Sequence, residues 1–267
     1  MKTRARTRFD TASAGGLLLG AGCVLLGQVL EGGTLRSLVQ VTAAVIVFGG
    51  TLGATLVSFT RAEVAHALAT LRAVFQEPDD DGAATAEAVV RCARTARMHG
   101  LLALEDEAER LADPLFRKAL RLAVDGTDSR QVREIVEVAI ANDEDRDRIP
   151  ARVFESLGAY SPTFGILGAV LGLIHVMQNL TDPGQLGAGI ATAFVATVYG
   201  VGAANLLFLP IAAKLKHRAD RRAMRGEMIL DGVLAIQEGL SPRLVEERLQ
   251  AYQPPAGRRA RAMGRVA

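Results

Sequence analysis

The sequence predicts an all-α polytopic membrane protein with four membrane-spanning helices and a helical domain between the second and third. Three observations predict this fold class. The 267-residue chain is 49% hydrophobic and has a positive mean hydropathy of +0.21. Its apolar residues are concentrated in four segments without Asp, Glu, Lys or Arg, each long enough for the ~20 residues that cross a bilayer. No stretch alternates polar and apolar residues as a half-buried strand would.

The four apolar segments, called spans 1 to 4 from here on, are Thr11–Leu30, Leu38–Phe59, Leu157–Leu180 and Leu186–Ala213. Spans 3 and 4 contain Pro162 and Pro210 near their ends, where a lost backbone hydrogen bond costs least. A basic stretch precedes span 1, as in a signal peptide. Because the apolar segment is long and lacks a clear cleavage site, we interpret it as a retained span.

The distribution of Lys and Arg predicts the orientation of the spans. Basic residues occur at 2–8, 61–72, 146–152 and 214–222, whereas the other two connections hold only Arg36. Because basic residues mark the cytoplasmic side, both termini are expected in the cytoplasm. The predicted domains are residues 1–59 (N-terminal tail, spans 1 and 2), 60–152 (cytoplasmic domain), 153–213 (spans 3 and 4) and 214–267 (C-terminal helix and basic tail).

Helical periodicity continues through the charged segment between spans 2 and 3. We expect a break at Pro78–Gly82 and a helix capped by Asp128 and Ser129. The other helices are expected at 63–75, 83–97, 101–111, 115–124 and 244–251. The basic tail that contains Pro254 and Pro255 is expected to be disordered.

Motifs for catalysis, nucleotide binding and metal binding are missing from the sequence. Among four histidines, only His66 has a carboxylate at helical ligand spacing, Glu63, and one such pair does not make a metal site. Two cysteines, Cys23 and Cys92, cannot build a disulfide framework. The net charge of +2 is too small to indicate nucleic-acid binding. We therefore expect no enzyme activity, cofactor, metal or nucleic-acid partner.

Glycine pairs four residues apart occur in three spans. This spacing lets two helices approach closely, either within one chain or between subunits. Both interpretations remain open for the pairs Gly16 and Gly20, Gly49 and Gly53, and Gly168 and Gly172.

The absence of Asp, Glu, Lys and Arg from all four spans is a strong functional indication. Ion relays through membranes normally use a carboxylate. If this protein carries ions, the titrating group must come from a second chain. His175 is the one side chain within a span whose ordinary pKa lies near neutral pH, and its place toward one end of span 3 favours an interfacial polar residue.

Charged residues form two neighbouring patches in the cytoplasmic domain. Arg91, Arg94 and Arg97 recur along one helix face, and an acidic run from Glu105 to Glu109 follows. This arrangement suits electrostatic docking of a partner with mixed charge. On pattern alone, a solvated helix face explains it equally well.

The segment Pro162–Met177, PTFGILGAVLGLIHVM, resembles the MotA/PomA family of flagellar stator subunits. The similarity continues at 186–202, 205–210, 49–56 and 100–105, and touches every region except span 1 and the termini. The glycine-rich pieces alone also fit the wider MotA/TolQ/ExbB proton channel superfamily.

This resemblance implies a homopentamer in the bacterial inner membrane, surrounding a dimer of a MotB-like partner. The partner has a single span with an essential Asp and a domain that binds peptidoglycan. Ion flow that protonates this Asp is expected to turn the ring, and the cytoplasmic domains are expected to push the rotor protein FliG. Membrane lipid is the remaining partner.

The resemblance also implies roles for individual residues. Arg97 and Glu105 match the family's rotor-contacting arginine and acid, and Arg94 lies on the same stripe as Arg97. Pro162 and Pro210 match two prolines that couple ion passage to conformational change.

Three residues are expected on the ion pathway or facing the partner. Thr197 matches the hydroxyl that faces the partner's Asp, and Thr192 lies in the same span. Ala169 stands where sodium-driven members have Thr and proton-driven members have Ala. Since a hydroxyl can replace part of a sodium ion's hydration and a methyl cannot, we expect protons as the coupling ion.

Two other functions are alternatives to the stator. An ExbB/TolQ-like energiser of an outer-membrane system has its large cytoplasmic loop after a single first span, whereas two spans come first here. Permeases usually have more spans and broken helices near the midplane, and this sequence predicts neither.

Overall fold

The computed structural model describes residues 10–76, 82–178 and 183–252. No β-strand is formed in these ranges. The α-helices are, in chain order, α1 Thr11–Leu30, α2 Val41–Ala44, α3 Gly50–Ser58, α4 Arg61–Val74, α5 Gly82–His99, α6 Glu105–Arg110, α7 Pro114–Val124, α8 Ser129–Gln178, α9 Pro183–Gly202, α10 Leu209–Gln237 and α11 Pro242–Leu249. Two π-helical turns, Val45–Gly49 and Ala203–Phe208, connect α2 to α3 and α9 to α10.

Four of the predicted features lie outside the described residues. They are the basic stretch before span 1, the break at residues 78–81, residues 179–182 between spans 3 and 4, and the basic tail after Tyr252.

Within the part of the chain that the structure describes, four helical segments are long and apolar enough to cross a membrane, which confirms the predicted all-α fold with four spans. They are Thr11–Leu30, Leu35–Ser58, Ser129–Gln178 and Leu186–Gln237. The first coincides with predicted span 1, and Asp10 caps it by accepting the backbone N–H of Ala12 at 3.0 Å.

The helices of spans 3 and 4 extend well beyond the apolar segments. Helix α8 has 50 residues and continues through Pro162. The π-helical turn Ala203–Phe208 leads directly into α10, which contains Pro210. Both prolines therefore lie inside continuous helices rather than near helix ends. A π-helical turn changes the hydrogen-bond register, which helps a helix to pass a residue that has no amide hydrogen.

The chain divides into two compact units. The membrane unit comprises Met1–Pro78 and Arg148–His217, and the polar unit comprises Asp79–Asp147 and Arg218–Ala267. The predicted domain boundaries at residues 60, 153 and 214 remain predictions.

Two apolar clusters hold the membrane unit together. In one, Ala43 and Val47 of span 2 pack with Val195 and Ala196 of span 4. In the other, α4 buries Ala67 and Val74 against residues of α8 and α10, namely Ala151, Val153, Phe154, Ala212 and Leu215. A capping box at Thr60 and Glu63 fixes the start of α4.

The polar unit has a single apolar core. Helix α7 contributes one face to this core. The buried residues of α7 recur at helical spacing, namely Phe116, Ala119, Leu120 and Ala123. Other core residues come from α5, α6, α8, α10 and α11. The Asp128 carboxylate accepts the N–H of Arg130 at 3.0 Å, which confirms the predicted cap at the start of α8.

Candidate functional site

Spans 3 and 4 approach each other through residues with little or no side chain. A Cβ atom added to Gly168 would lie 2.7 Å from the Cβ of Ala196, and one added to Gly172 would lie 2.8 Å from the backbone nitrogen of Ala193. Because such distances exclude any side chain, the Gly168 and Gly172 pair packs within the chain.

The other two glycine pairs have different surroundings. A Cβ atom on Gly20 would lie 3.0 Å from the side chain of Leu206, whereas Gly16, Gly49 and Gly53 have no atom within 4 Å of that position. The exposed face of span 2 around Gly49 and Gly53 is therefore free to meet another helix. For this pair, the subunit-interface interpretation stays open.

Two of the predicted partner-facing residues flank the contact between spans 3 and 4. Ala169 follows Gly168, and Thr197 follows Ala196, the residue that Gly168 contacts. Ala169 is half-buried and Thr197 is exposed. The Thr197 hydroxyl donates to the carbonyl of Ala193 at 3.3 Å, so the side chain also has a partner in its own helix.

The third predicted residue, Thr192, meets span 2. Its hydroxyl accepts a hydrogen bond from the side-chain amide of Gln40 at 2.7 Å and donates to the carbonyl of Ala188. Two helix turns further on, the Tyr199 hydroxyl accepts the backbone N–H of Gln40 at 3.2 Å and donates to the carbonyl of Leu38 at 2.5 Å. These bonds satisfy the free amide at the start of α2 and join spans 2 and 4.

The two predicted coupling prolines lie at a common helix crossing. Pro162 cannot bond the carbonyl of Gly158, four residues earlier. A Cβ atom added to Gly158 would lie 2.6 Å from the side chain of Leu209, the neighbour of Pro210. The weakened turn of span 3 thus touches the end of the π-helical turn in span 4.

A cleft of 280 Å³ lies beside Pro210 in the membrane unit. Its walls come from α1, α4 and span 4, and include Gly16, Leu17, Phe75 and Asn205. At its edge, Lys214 pairs with the carboxylate of Asp10 and bonds the hydroxyl of Ser13.

The predicted rotor-contacting residues lie on the surface of the polar unit. Arg94 and Arg97 are exposed on α5, and Glu105 is exposed at the first position of α6. Between the two helices, Gly100 adopts φ +83°, a left-handed conformation that favours glycine. Arg97 also donates to the carbonyl of Gly239 at 3.4 Å.

Glu107 holds α6 against α5, a contact that the sequence did not single out. Its carboxylate accepts hydrogen bonds from the hydroxyl of Thr95 at 3.0 Å and the thiol of Cys92 at 3.3 Å. Burial, together with this carboxylate, raises the pKa of the Cys92 thiol to about 12, so Cys92 stays an unreactive thiol. Glu107 thereby fixes the turn that presents Glu105.

Among the residues described by the structure, no group of three or more His, Cys, Asp or Glu side chains could hold a metal ion.

Comparison with known proteins assigns the family. A family model described as "Motility protein A N-terminal" matches residues 14–98, and the "MotA/TolQ/ExbB proton channel family" model matches residues 107–228. The chain is 33% identical to motility protein A of Bacillus subtilis over 254 residues, which are 94% of this chain and 93% of that protein. This chain belongs to the MotA/PomA family. The resemblance inferred from the sequence is thereby confirmed.

Other members agree in sequence and in structure. The chemotaxis protein PomA of Vibrio alginolyticus is 34% identical over 244 residues, covering 91% of this MotA/PomA chain and 95% of PomA. The solved structure of the flagellar MotAB stator complex from Bacillus subtilis matches with a TM-score of 0.83 and 32% identity, covering 93% of this chain and 98% of that one. With its four apolar helices, this member of the family is a multi-pass protein of the inner membrane.

Proposed function

We propose that this chain is the torque-generating subunit of a bacterial flagellar stator, in which proton flow drives rotation of a homopentamer. The observation that carries the proposal is the uncharged crossing of spans 3 and 4. There, Ala169 and Thr197 flank the Gly168–Ala196 contact, and no carboxylate lies in any span. Such a surface can line an ion path, but it needs a titrating group from another chain.

A MotB-like, single-span and peptidoglycan-binding subunit is the proposed source of that carboxylate. One solved structure similar to this chain is a MotAB stator complex, and the similarity covers 93% of this chain. A dimer of the partner would stand at the centre of the ring, fixed to the cell wall. Each protonation of its Asp would then advance the ring by one step.

The proposed rotor contact is the edge of the polar unit formed by Arg94, Arg97 and Glu105. All three side chains are exposed, and they combine both signs of charge on two adjoining helices. A rotor protein such as FliG, with the opposite pattern, would bind them by complementary electrostatics. In this proposal the polar unit and both termini lie in the cytoplasm.

Pro162 and Pro210 are proposed to couple ion passage to movement. The turns that they weaken meet through Gly158 and Leu209, so bending of span 3 would press on span 4.

The energiser of an outer-membrane system remains the alternative, because one family model also covers TolQ and ExbB. The match of residues 14–98 to a motility-protein model favours the stator.

Charge reversal on the rotor edge tests the proposal. In a strain that lacks its own stator, Arg97→Glu or Glu105→Lys should abolish swimming, because a repulsive contact replaces an attractive one. Membrane insertion and partner co-purification should stay at wild-type levels.

Arg243→Glu is the matched control, since Arg243 is also exposed on the polar unit, on α11. This variant should swim normally. If Arg97→Glu and Glu105→Lys instead prevent assembly, these two residues support the fold and the rotor edge lies elsewhere.

A further inference from the structure

Three polar side chains are fully buried in the membrane unit. Thr51 and Thr55 lie in span 2 and Ser161 lies in span 3, with exposed fractions of 1%, 0% and 0%. Among the residues whose burial is described (10–76, 82–178 and 186–252), no other polar or charged residue is buried to this degree.

Two of the three hydroxyls lack the hydrogen bond that a helix usually gives them. Ser and Thr hydroxyls in helices commonly donate to the carbonyl four residues earlier. Thr55 donates in this way to Thr51 at 2.8 Å, and the exposed Thr163 donates to Ala159 at 3.2 Å. The oxygens of Thr51 and Ser161 have no partner among the described residues. An unsatisfied hydroxyl in a dry membrane interior is costly, so each of these oxygens calls for a partner.

Contacts between spans 2 and 3 bracket the two unpartnered hydroxyls. The ring of Phe164 packs on Gly50, the residue before Thr51. The hydroxyls of Ser58 and Tyr160 lie 2.9 Å apart, and Tyr160 precedes Ser161. Residues 51–57 therefore run beside residues 160–164 in the opposite direction.

Span 4 places the two hydroxyls at the same level. Thr51 continues the stripe of Ala43 and Val47, which packs on Val195 and Ala196. A Cβ atom on Gly200, one turn beyond Ala196, would lie 2.6 Å from the carbonyl oxygen of Ser161. Spans 2, 3 and 4 therefore meet where both unpartnered oxygens are buried.

We propose that Thr51 and Ser161 bind an internal water molecule that bridges spans 2 and 3. Water fits these groups, because each hydroxyl can donate and accept, and buried waters typically make two to four hydrogen bonds. A bare cation fits less well, since no carboxylate lies in any span to balance its charge.

The position beside Pro162 gives this water a structural task. The proline leaves the carbonyl of Gly158 without its helical donor. In membrane helices, ordered waters and Ser or Thr side chains commonly compensate for such breaks. A water on Ser161 can exchange partners as span 3 bends, so the bridge stabilises the turn without locking it.

A double-mutant cycle tests the bridge in the full-length chain, purified in detergent. Thr51→Val and Ser161→Ala each remove one hydroxyl with little change in shape. If a water bridges them, each single variant leaves the water and the other hydroxyl poorly bonded. Each should then lower the Tm by about 2–4 °C. The double variant should lower the Tm by clearly less than the sum, because both partners are gone.

Two further variants serve as controls. Thr51→Ser keeps the hydroxyl and should retain more of the Tm than Thr51→Val. Thr163→Val removes an exposed hydroxyl on span 3, the helix that contains Ser161. Its effect on the Tm should add to that of Thr51→Val. If the single variants leave the Tm unchanged or raise it, the two hydroxyls bind no bridging water, and the proposal is wrong. Fully additive losses for Thr51→Val and Ser161→Ala would also overturn the proposal.

Discussion

At the scale of single residues, Asp10 joins three elements of the membrane unit. Its carboxylate caps α1, and it pairs with Lys214 at the start of α10. Its own backbone N–H donates to the carbonyl of Phe75, at the end of α4, at 2.9 Å. One acidic side chain therefore fixes where the first span begins relative to α4 and span 4.

The Asp10 pair predicts a pH-dependent stability. The hydrogen bond from Lys214, followed by those from Ser13, holds the pKa of the Asp10 carboxyl well below its usual range. The ionised group therefore stabilises the folded state above about pH 4, the pKa of an unfolded aspartate, and this contribution falls as the pH drops further. Asp10→Asn should lower the Tm at pH 7 and should do so less at pH 3.

Asparagine is the informative replacement because it caps helices as well as aspartate does. The variant therefore removes the charge and keeps the cap. A Tm difference of the same size at pH 7 and pH 3 would contradict the ionic account and assign the effect to packing around Ser13.

At this scale, the sequence predicts which residue types matter but not the direction in which each side chain points from its helix. Thr192 is predicted on the ion pathway or facing the partner, and this role stays a prediction; the structure adds a hydrogen bond from Gln40 of the same chain to its hydroxyl. Gln40 was not singled out, because one polar residue near the end of an apolar segment is a common boundary feature. The sequence does not single out Ser161 either, because a lone serine next to a proline is common. Its importance follows only from its complete burial in the structure.

At the scale of elements, spans 3 and 4 form one tightly packed pair. Their contact runs through Gly165, Gly168, Gly172 and Gly200, where an added Cβ atom would meet the other helix within 3.0 Å. The four-residue glycine spacing predicted close packing, but not which pairs pack within the chain. That choice depends on how each helix is rotated about its own axis. Gly16, Gly49 and Gly53 face open space, whereas Gly20 faces the side chain of Leu206.

Substitution at two glycines of span 4 tests this packing. Gly200→Ala should destabilise the chain by about 1–3 kcal/mol, because its methyl would overlap the backbone of Ser161. Gly202→Ala should be neutral or slightly stabilising, since no atom lies within 4 Å and alanine favours the helix by up to ~1 kcal/mol. The measurement is the Tm of each purified variant. Equal losses for both would contradict the packing described for spans 3 and 4.

Elements in the polar unit followed the sequence closely where caps or breaks were present. Proline at the first position and an Asp or Ser cap fix the starts of α7 and α11. The sequence does not predict how far helices α8 and α10 continue, because an apolar segment marks only the part of a helix that lies in lipid. Hydropathy therefore located the spans but not the ends of their helices.

At the scale of the whole molecule, the proposed stator consists of two kinds of chain with different roles. This chain has spans without Asp, Glu, Lys or Arg and an exposed charged edge on its polar unit, and the proposed partner would supply the carboxylate. Ala169 predicts protons as the coupling ion. Cells that depend on this stator should swim without sodium at constant pH and should stop when a proton uncoupler is added.

A sodium requirement, with swimming that persists in the uncoupler, would contradict the assignment of the ion. The proposed stator function would still stand, because a carboxylate from the proposed partner could bind either ion.

Co-purification tests the central claim most directly. The full-length chain would be extracted from the native membrane in mild detergent, and its partners would be identified by mass spectrometry and counted by cryo-electron microscopy. The account predicts a ring of this subunit around a dimer of a single-span, peptidoglycan-binding protein with an Asp in its span. Recovery of an outer-membrane receptor system, without any such partner, would contradict it.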